Sequence, residues 1–306
     1  MARTIETVTL VGAGAMGAIY ASIFYDMEPD CVRFIADDER FERLCREGLI
    51  VNGRHYPIPV VRPLDRVPPS DLVIFAVKHH HLDEAITDAQ NMIGDDTDVL
   101  SVMNGIESEE RIGEAYGKEK VLYAVAVGMD AVRVGNRINY SSQGKILFGQ
   151  ATNPSPSERI KRIQTLFDRV GIAWETPFDM VRALWWKFMI NVGVNQASAA
   201  LRAPYSAFQT SQEARRLMES AMQEVITLAE LEGVHLSQRD LDNWHVVLAG
   251  LNPQGKTSML QDVEAGRKTE VEMFAGKVIE LGKRHGTPTP VNQSLFDLIK
   301  NIEASY

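Results

Sequence analysis

The apolar strand Thr7 to Val11 runs straight into Gly12-Ala13-Gly14-Ala15-Met16-Gly17, and Ala18 to Phe24 continues as an apolar helix. Strand, glycine turn and helix in that order, at the start of the chain, leave few folds open. Gly12 permits the tight turn, Gly14 lets backbone approach a pyrophosphate, and Gly17 lets helix and strand pack closely. The helix N-terminus then offers unpaired N–H groups to the anion. The six residues from Gly12 to Gly17 are therefore read as a dinucleotide cradle, against the alternative of a purely structural turn.

A second strand, Cys31 to Ala36, ends at Asp37, twenty residues after Gly17. An acid there accepts hydrogen bonds from an adenine ribose and repels a 2′-phosphate, which favours NAD over NADP. Arg40 nearby opposes that preference. In the other reading, Asp37 and Asp38 simply cap a helix over 39–47. The nearly continuous apolar strands Asp71–Val77 and Val99–Met103 suit a parallel sheet covered on both faces. Lys78 and Asn104-Gly105 follow them, at the carboxyl ends where ligands of open α/β sheets lie. Asn104 beside a glycine also suits a plain turn. His79, His80 and His81 are consecutive, a spacing that does not converge on a metal, so no metal site is expected. Val121–Val127, Ile138–Tyr140 and Ile146–Phe148 are expected to extend the sheet, with Gly135-Asn136 as a turn. Ser157 is placed to cap a helix running to Val170.

Past Pro177 the pattern becomes helical, with helices expected over 180–200, 211–232, 238–249, 257–284 and 291–303. Length supports two domains: 306 residues against roughly 150 per domain. The fold class is α/β, an N-terminal Rossmann-type dinucleotide-binding domain over 1–175 followed by an all-helical substrate domain over 176–306. Lys plus Arg is 32 against Asp plus Glu 41, a formal charge of −9, which argues against nucleic acid as a partner. No run approaches a membrane span. Two cysteines, Cys31 and Cys45, make no disulfide framework. With no apolar leader at the N-terminus, a cytoplasmic protein is expected.

In Ala183 to Asn195, Lys187, Asn191 and Asn195 recur every four residues among Trp186, Phe188, Ile190, Val192 and Val194. On a helix they form one polar stripe with strongly apolar flanks. Such a stripe faces a polar cleft, or else is solvated with Lys187 snorkelling along the tryptophans. The stretch Thr257 to Glu272 holds Ser258, Asp262, Glu264, Glu270 and Glu272, and Gly266 is a candidate bend. Spacing does not decide which of its acids faces inward.

Over nearly the whole length the chain resembles the ketopantoate reductase (2-dehydropantoate 2-reductase) family. The resemblance rests on Gly12 to Gly17, Lys78, Asn104-Gly105, the Trp186-Lys187 to Asn195 stripe, Ser258-Met259 with Asp262, Thr269-Glu270 and Pro290-Val291-Asn292. It implies reduction of 2-dehydropantoate to pantoate by NADPH, on the route to pantothenate and coenzyme A. It carries the general acid onto Lys187, substrate hydroxyl binding onto Glu270 and carboxylate recognition near Ser258. Asn104, Asn191 and Asn195 position substrate and lysine, and Lys78 serves the cofactor side. Two departures stand out. Asp37 replaces the arginine that often holds the 2′-phosphate, leaving NAD or dual use open. Pro204-Tyr205 stands where some members have a substrate-holding asparagine, so a reductase of another branched or hydroxylated 2-keto acid is the alternative. A dinucleotide-responsive regulator without turnover is a third reading. The expected partner is a small 2-keto acid, and monomer and homodimer are both open.

Overall fold

The computed structural model describes residues 4–306. One compact unit runs to Val181 and a second spans Arg182–Tyr306. In the first unit the chain forms β1 (Val8–Val11), α1 (Ala15–Met27), β2 (Val32–Ile35), α2 (Asp38–Glu47), β3 (Leu49–Val51), β4 (Arg54–Tyr56), β5 (Val60–Val61), β6 (Leu72–Phe75), α3 (Leu82–Asp88) and β7 (Asp98–Ser101). It continues through α4 (Ser108–Tyr116), β8 (Val121–Met129), β9 (Val132–Val134), β10 (Arg137–Asn139), β11 (Gln143–Gly149), α5 (Glu158–Val170) and β12 (Trp174–Glu175). The main sheet has the order β12-β11-β8-β7-β6-β1-β2-β5, with β11 antiparallel to β8.

Every residue of β1, β6 and β7 is buried, because strand alternation feeds two cores. Leu10, Leu72 and Ile74 join Ile19, Phe24, Ile160 and Ile163 on one face. Val11, Val73 and Phe75 join Leu82, Met92 and Ile112 on the other. Strand β1 has β2 on one side and β6 on the other, both parallel to it. The order reverses at β1, which places the glycine turn at the switch point of the sheet.

One strand expected in this sheet is elsewhere. Residues Arg137–Asn139 (β10) pair with β3 and β9 in a separate sheet of order β4-β3-β10-β9. Gly135, at φ +61°, turns the chain back on β9, while β8 and β11 zip together over their own antiparallel ladder from Tyr123–Gly149 to Met129–Gln143.

The second unit is helical. Helix α6 (Met180–Ile190) widens into a π-helical turn, Asn191–Asn195, and continues as α7 (Gln196–Leu201). Then follow α8 (Tyr205–Thr210), α9 (Gln212–Leu231), α10 (Gln238–Gly250), α11 (Ser258–Glu264), a second π-helical turn at Glu272–Gly276, α12 (Lys277–His285) and α13 (Pro290–Glu303). The helix expected over 257–284 is thus broken. Gly266 takes φ +60°, and the Arg267 N–H closes on the Asp262 carbonyl at 2.9 Å, ending α11 as a left-handed residue ends helices generally. Among the described residues no helix is long and apolar enough to cross a membrane.

Candidate functional site

In the first unit, Gly12 has φ +108°, and a Cβ there would lie 2.7 Å from the Ala76 carbonyl oxygen. A Cβ on Gly17 would lie 2.0 Å from the Gly12 carbonyl oxygen. Both glycines are therefore required by packing alone. Gly14 differs: its nearest neighbour would be the Ala76 oxygen at an ordinary 3.6 Å. Packing does not demand glycine there, whereas close approach of a pyrophosphate does. Gly14 is also the N-cap of α1 and supplies no side-chain cap, so the first-turn N–H groups after Ala13, at Ala15, Met16 and Gly17, suit an anion. These residues fit a dinucleotide.

Parallel register pairs Val11 with Phe75 and Phe75 with Ser101. The glycine turn, Lys78 and Asn104 consequently emerge at neighbouring carboxyl ends of one sheet. Lys78 and Asn104 are half-buried. Gly105 takes φ +93°, and the chain bends over residues 104–107 at that edge. His79–His81 form a short 3₁₀ turn. Among the described residues no three His, Cys, Asp or Glu side chains gather as a metal site.

Asp37 is exposed just past β2 and is the N-cap of α2, its Oδ1 accepting the Asp38 N–H at 2.9 Å. Capping uses one carboxylate oxygen and leaves Oδ2 for a ribose, so both readings of Asp37 are geometrically compatible. Arg40 is engaged with Glu84, and Arg62 pairs with Glu42 at 2.8 Å while lying over the Phe41 ring. The cations nearest the start of α2 thus already have acidic partners.

Sequence reasoning missed two groups here. The Arg133 guanidinium donates to the Ala13 carbonyl across 120 residues, at 2.5 Å, placing a cation beside the glycine turn. The signal was unreadable, because only the second sheet brings Arg133 there. The other is Glu109, buried just beyond the Asn104 turn. Ser108 Oγ donates to Glu109 Oε2 at 2.9 Å and lies 2.7 Å from Ser101 Oγ. Burial pushes this carboxyl up to about 7. A carboxyl that holds its proton more tightly when folded contributes most below its unfolded value, and that contribution is lost as pH rises through the folded one. Glu109→Gln is accordingly expected to leave stability near wild type at about pH 4 and to raise it by about 3 kcal/mol at about pH 8. Urea unfolding at the two pH values checks this, and equal differences at both would contradict it.

In the second unit the polar stripe is largely inside. Asn191 and Asn195 are buried, and Asn195 Nδ2 donates to Asn191 Oδ1 at 3.3 Å. The wide π-helical turn advances less per residue than an α-helix, which keeps these four-apart residues aligned. Its close fit depends on Gly193, where a Cβ would lie 2.4 Å from Met222 Cγ. Lys187 lies one turn before Asn191, half-buried, and its surroundings push the ammonium down to about 8. A solvated stripe is excluded by the burial of both asparagines.

Glu270 is buried and its neighbour Thr269 fully so. Glu303 Oε1 accepts the Thr269 N–H at 2.7 Å and the Thr269 hydroxyl at 2.6 Å, so the end of α13 fixes this segment. The rings of Phe188 and Phe274, 6.4 Å apart, pack the Lys187 helix against the turn that follows Glu270. Helix α11 also packs on the Asn191–Asn195 turn. The structure therefore gathers the stripe, α11 and the Glu270 segment. Ser258 is exposed at the first position of α11, with Thr257 as the cap.

A family profile described as ketopantoate reductase PanE/ApbA matches residues 8–153, and its C-terminal counterpart matches residues 179–303. A 2-dehydropantoate 2-reductase from Aquifex aeolicus is 25% identical over 96% of both chains. The crystal structure of 2-dehydropantoate 2-reductase from Geobacter metallireducens is 25% identical, with a TM-score of 0.85 over 96% of this chain and 99% of that one. D-mandelate dehydrogenase, solved with NADH and anilino(oxo)acetate, shares the fold at a TM-score of 0.87, 21% identity and coverage of 98% and 99%.

Proposed function

The chain belongs to the ketopantoate reductase family, and from that premise we propose that it reduces 2-dehydropantoate to pantoate, a step toward pantothenate and coenzyme A. The observation that carries the reading is an ammonium, Lys187, in line with two buried asparagines on one helix. A merely structural helix would not bury that set among Phe188, Ile190, Val192 and Val194.

Reduced nicotinamide, when bound, supplies hydride to the ketone carbon. Gly12 to Gly17 hold its pyrophosphate, Asp37 its adenine ribose, and Lys78 and Asn104 serve the reacting end. As charge develops on the ketone oxygen, the Lys187 ammonium stabilises it and donates the proton. The neutral amine then regains a proton from solvent. Asn191 and Asn195 hold geometry without titrating. Glu270 binds the substrate hydroxyl, and Ser258, at the start of α11, meets the carboxylate.

Cofactor use follows from Asp37 and from the acidic partners of Arg40 and Arg62. We infer a preference for NADH, with NADPH the family's alternative. A second substrate reading rests on Tyr205, which packs on Gly255, where a Cβ would sit 3.0 Å from its ring. Pro204-Tyr205 stands where some family members have a substrate-holding asparagine, which suits another branched or hydroxylated 2-keto acid with a different pocket around 198–210 and 240–260.

The test is the initial rate of NADH and NADPH oxidation with 2-dehydropantoate and a panel of 2-keto acids. Fast turnover confined to 2-dehydropantoate is the expected result. Preference for another acid moves the substrate to the second reading, and no turnover with any of them overturns both.

A further inference from the structure

Two π-helical turns in one small helical unit are unusual, since a π-turn lengthens the ring and displaces backbone groups from the α-helical ladder. Those displaced groups must find partners inside the protein. In the second turn, the Gly276 N–H donates to the Val271 carbonyl at 3.0 Å, five residues back. An α-helix would give that carbonyl to the Ala275 N–H. Instead the Ala275 N–H donates to Gln196 Oε1 at 3.0 Å. In the first turn, Gln196 Nε2 donates to the Val192 carbonyl at 2.7 Å. One fully buried side chain therefore serves both turns, although Gln196 and Ala275 lie 79 residues apart in sequence.

The amide is held in that sense by a third bond. Gln196 Nε2 also donates to Asn292 Oδ1 at 3.0 Å. Asn292 is oriented in turn, because its Nδ2 donates to Glu224 Oε2 at 2.7 Å and to the Ala221 carbonyl at 3.3 Å. Glu224 further accepts the N–H groups of Val291 and Asn292 at 2.8 and 3.0 Å. Gln196 thus has one donor face and one acceptor face, and each is matched. A buried network satisfied throughout specifies one arrangement, and a partly satisfied one does not.

We propose that Gln196 is a positioning residue for the reaction, joining the turn that carries Asn191 and Asn195 to the turn that follows Glu270 so that both groups meet one substrate. The inference rests on the roles given above to the stripe and to Glu270. Gln196 touches no reacting atom in this reading; it acts through the two turns.

The experiment compares wild type, Gln196→Met and Gln196→Glu for kcat and KM with 2-dehydropantoate, for NADH affinity and for pH dependence. Methionine fills similar space and loses all three hydrogen bonds. It is expected to lower kcat/KM at least about tenfold, the loss of one to two buried hydrogen bonds, with NADH affinity unchanged. Glutamate is nearly isosteric. Ionised, it sets carboxylate oxygens against the Val192 carbonyl and Asn292 Oδ1; protonated, it regains one donor. Its activity relative to wild type is expected to recover as pH falls. Because the stability cost of a buried carboxylate also eases with acid, the comparison is made where circular dichroism shows the variant fully folded, so that the recovery reads positioning and not the folded fraction. Wild-type kcat and KM in a folded Gln196→Met overturn the proposal. Where that variant fails to fold, Gln196→Glu decides: a deficit that does not ease with acid overturns it. Lys187→Ala in the same assay separates the two levels of inference. If it retains turnover, the chemistry itself is misassigned. If it loses turnover while both Gln196 variants match wild type, only the positioning role fails.

Discussion

Lys187→Ala is expected to lower kcat for ketone reduction by roughly 10²- to 10⁴-fold, the usual contribution of one positioned acid, while NADH still binds. The cause is local. Hydride arrival leaves a developing alkoxide, and alanine offers it neither charge nor proton. Among the described residues Lys187 makes no hydrogen bond or ion pair with another side chain, so its removal breaks no structural bond. Trp185 and Phe188, in edge-to-face contact at 5.9 Å, keep the helix packed. Lys187→Arg sharpens the comparison. Arginine keeps the charge but does not deprotonate in proteins, so substrate binding is expected to survive better than turnover. A folded Lys187→Ala with near-wild-type kcat would contradict the assignment of the proton donor.

Asp37→Arg is expected to raise the ratio of kcat/KM for NADPH over NADH by roughly 10- to 100-fold, from loss of a charge-assisted bond to the ribose and gain of one to the 2′-phosphate. The two readings of Asp37 are separable. As a cap, its carboxylate holds the Asp38 N–H, and asparagine caps equally well. Asp37→Asn therefore preserves α2 while removing the charge that repels a phosphate. A rise in NADPH use with Asp37→Asn, smaller than with arginine, is the expected pattern. If neither variant moves the ratio, Asp37 only caps the helix.

What could be read from the sequence was what short segments determine by themselves. The glycine turn, the strands ending at Asp37, Lys78 and Asn104, and the Lys187 stripe each lie within a few residues of their own cause. The clash distances at Gly12 and Gly17 give the physical content of the glycine pattern. The stripe was legible because three polar residues stood every four positions in an apolar helix. The π-turn beneath it was not, because the side chain that takes up its Val192 carbonyl, Gln196, is held in place by Ala275 and Asn292 from far along the chain. The break in 257–284 turns on one left-handed glycine, Gly266, and a glycine that bends a helix and one that ends it look alike in sequence. The position of β10 was illegible for a related reason: a three-residue strand carries no mark of which sheet it will join. Glu109 and Arg133 gain their significance only from the fold, which buries Glu109, sets Ser101 against its neighbour Ser108 and brings Ala13 beside Arg133.

The most direct measurement is kcat for NADH-driven reduction of 2-dehydropantoate as a function of pH. Burial pushes the Lys187 ammonium down to about 8, and reduction requires the protonated form. A plateau below that value is expected, followed by a fall of about tenfold per pH unit above it, with the plateau lost in Lys187→Ala. A kcat that is flat from about pH 6 to about pH 10, or one whose profile is the same without Lys187, would contradict the lysine as the proton donor.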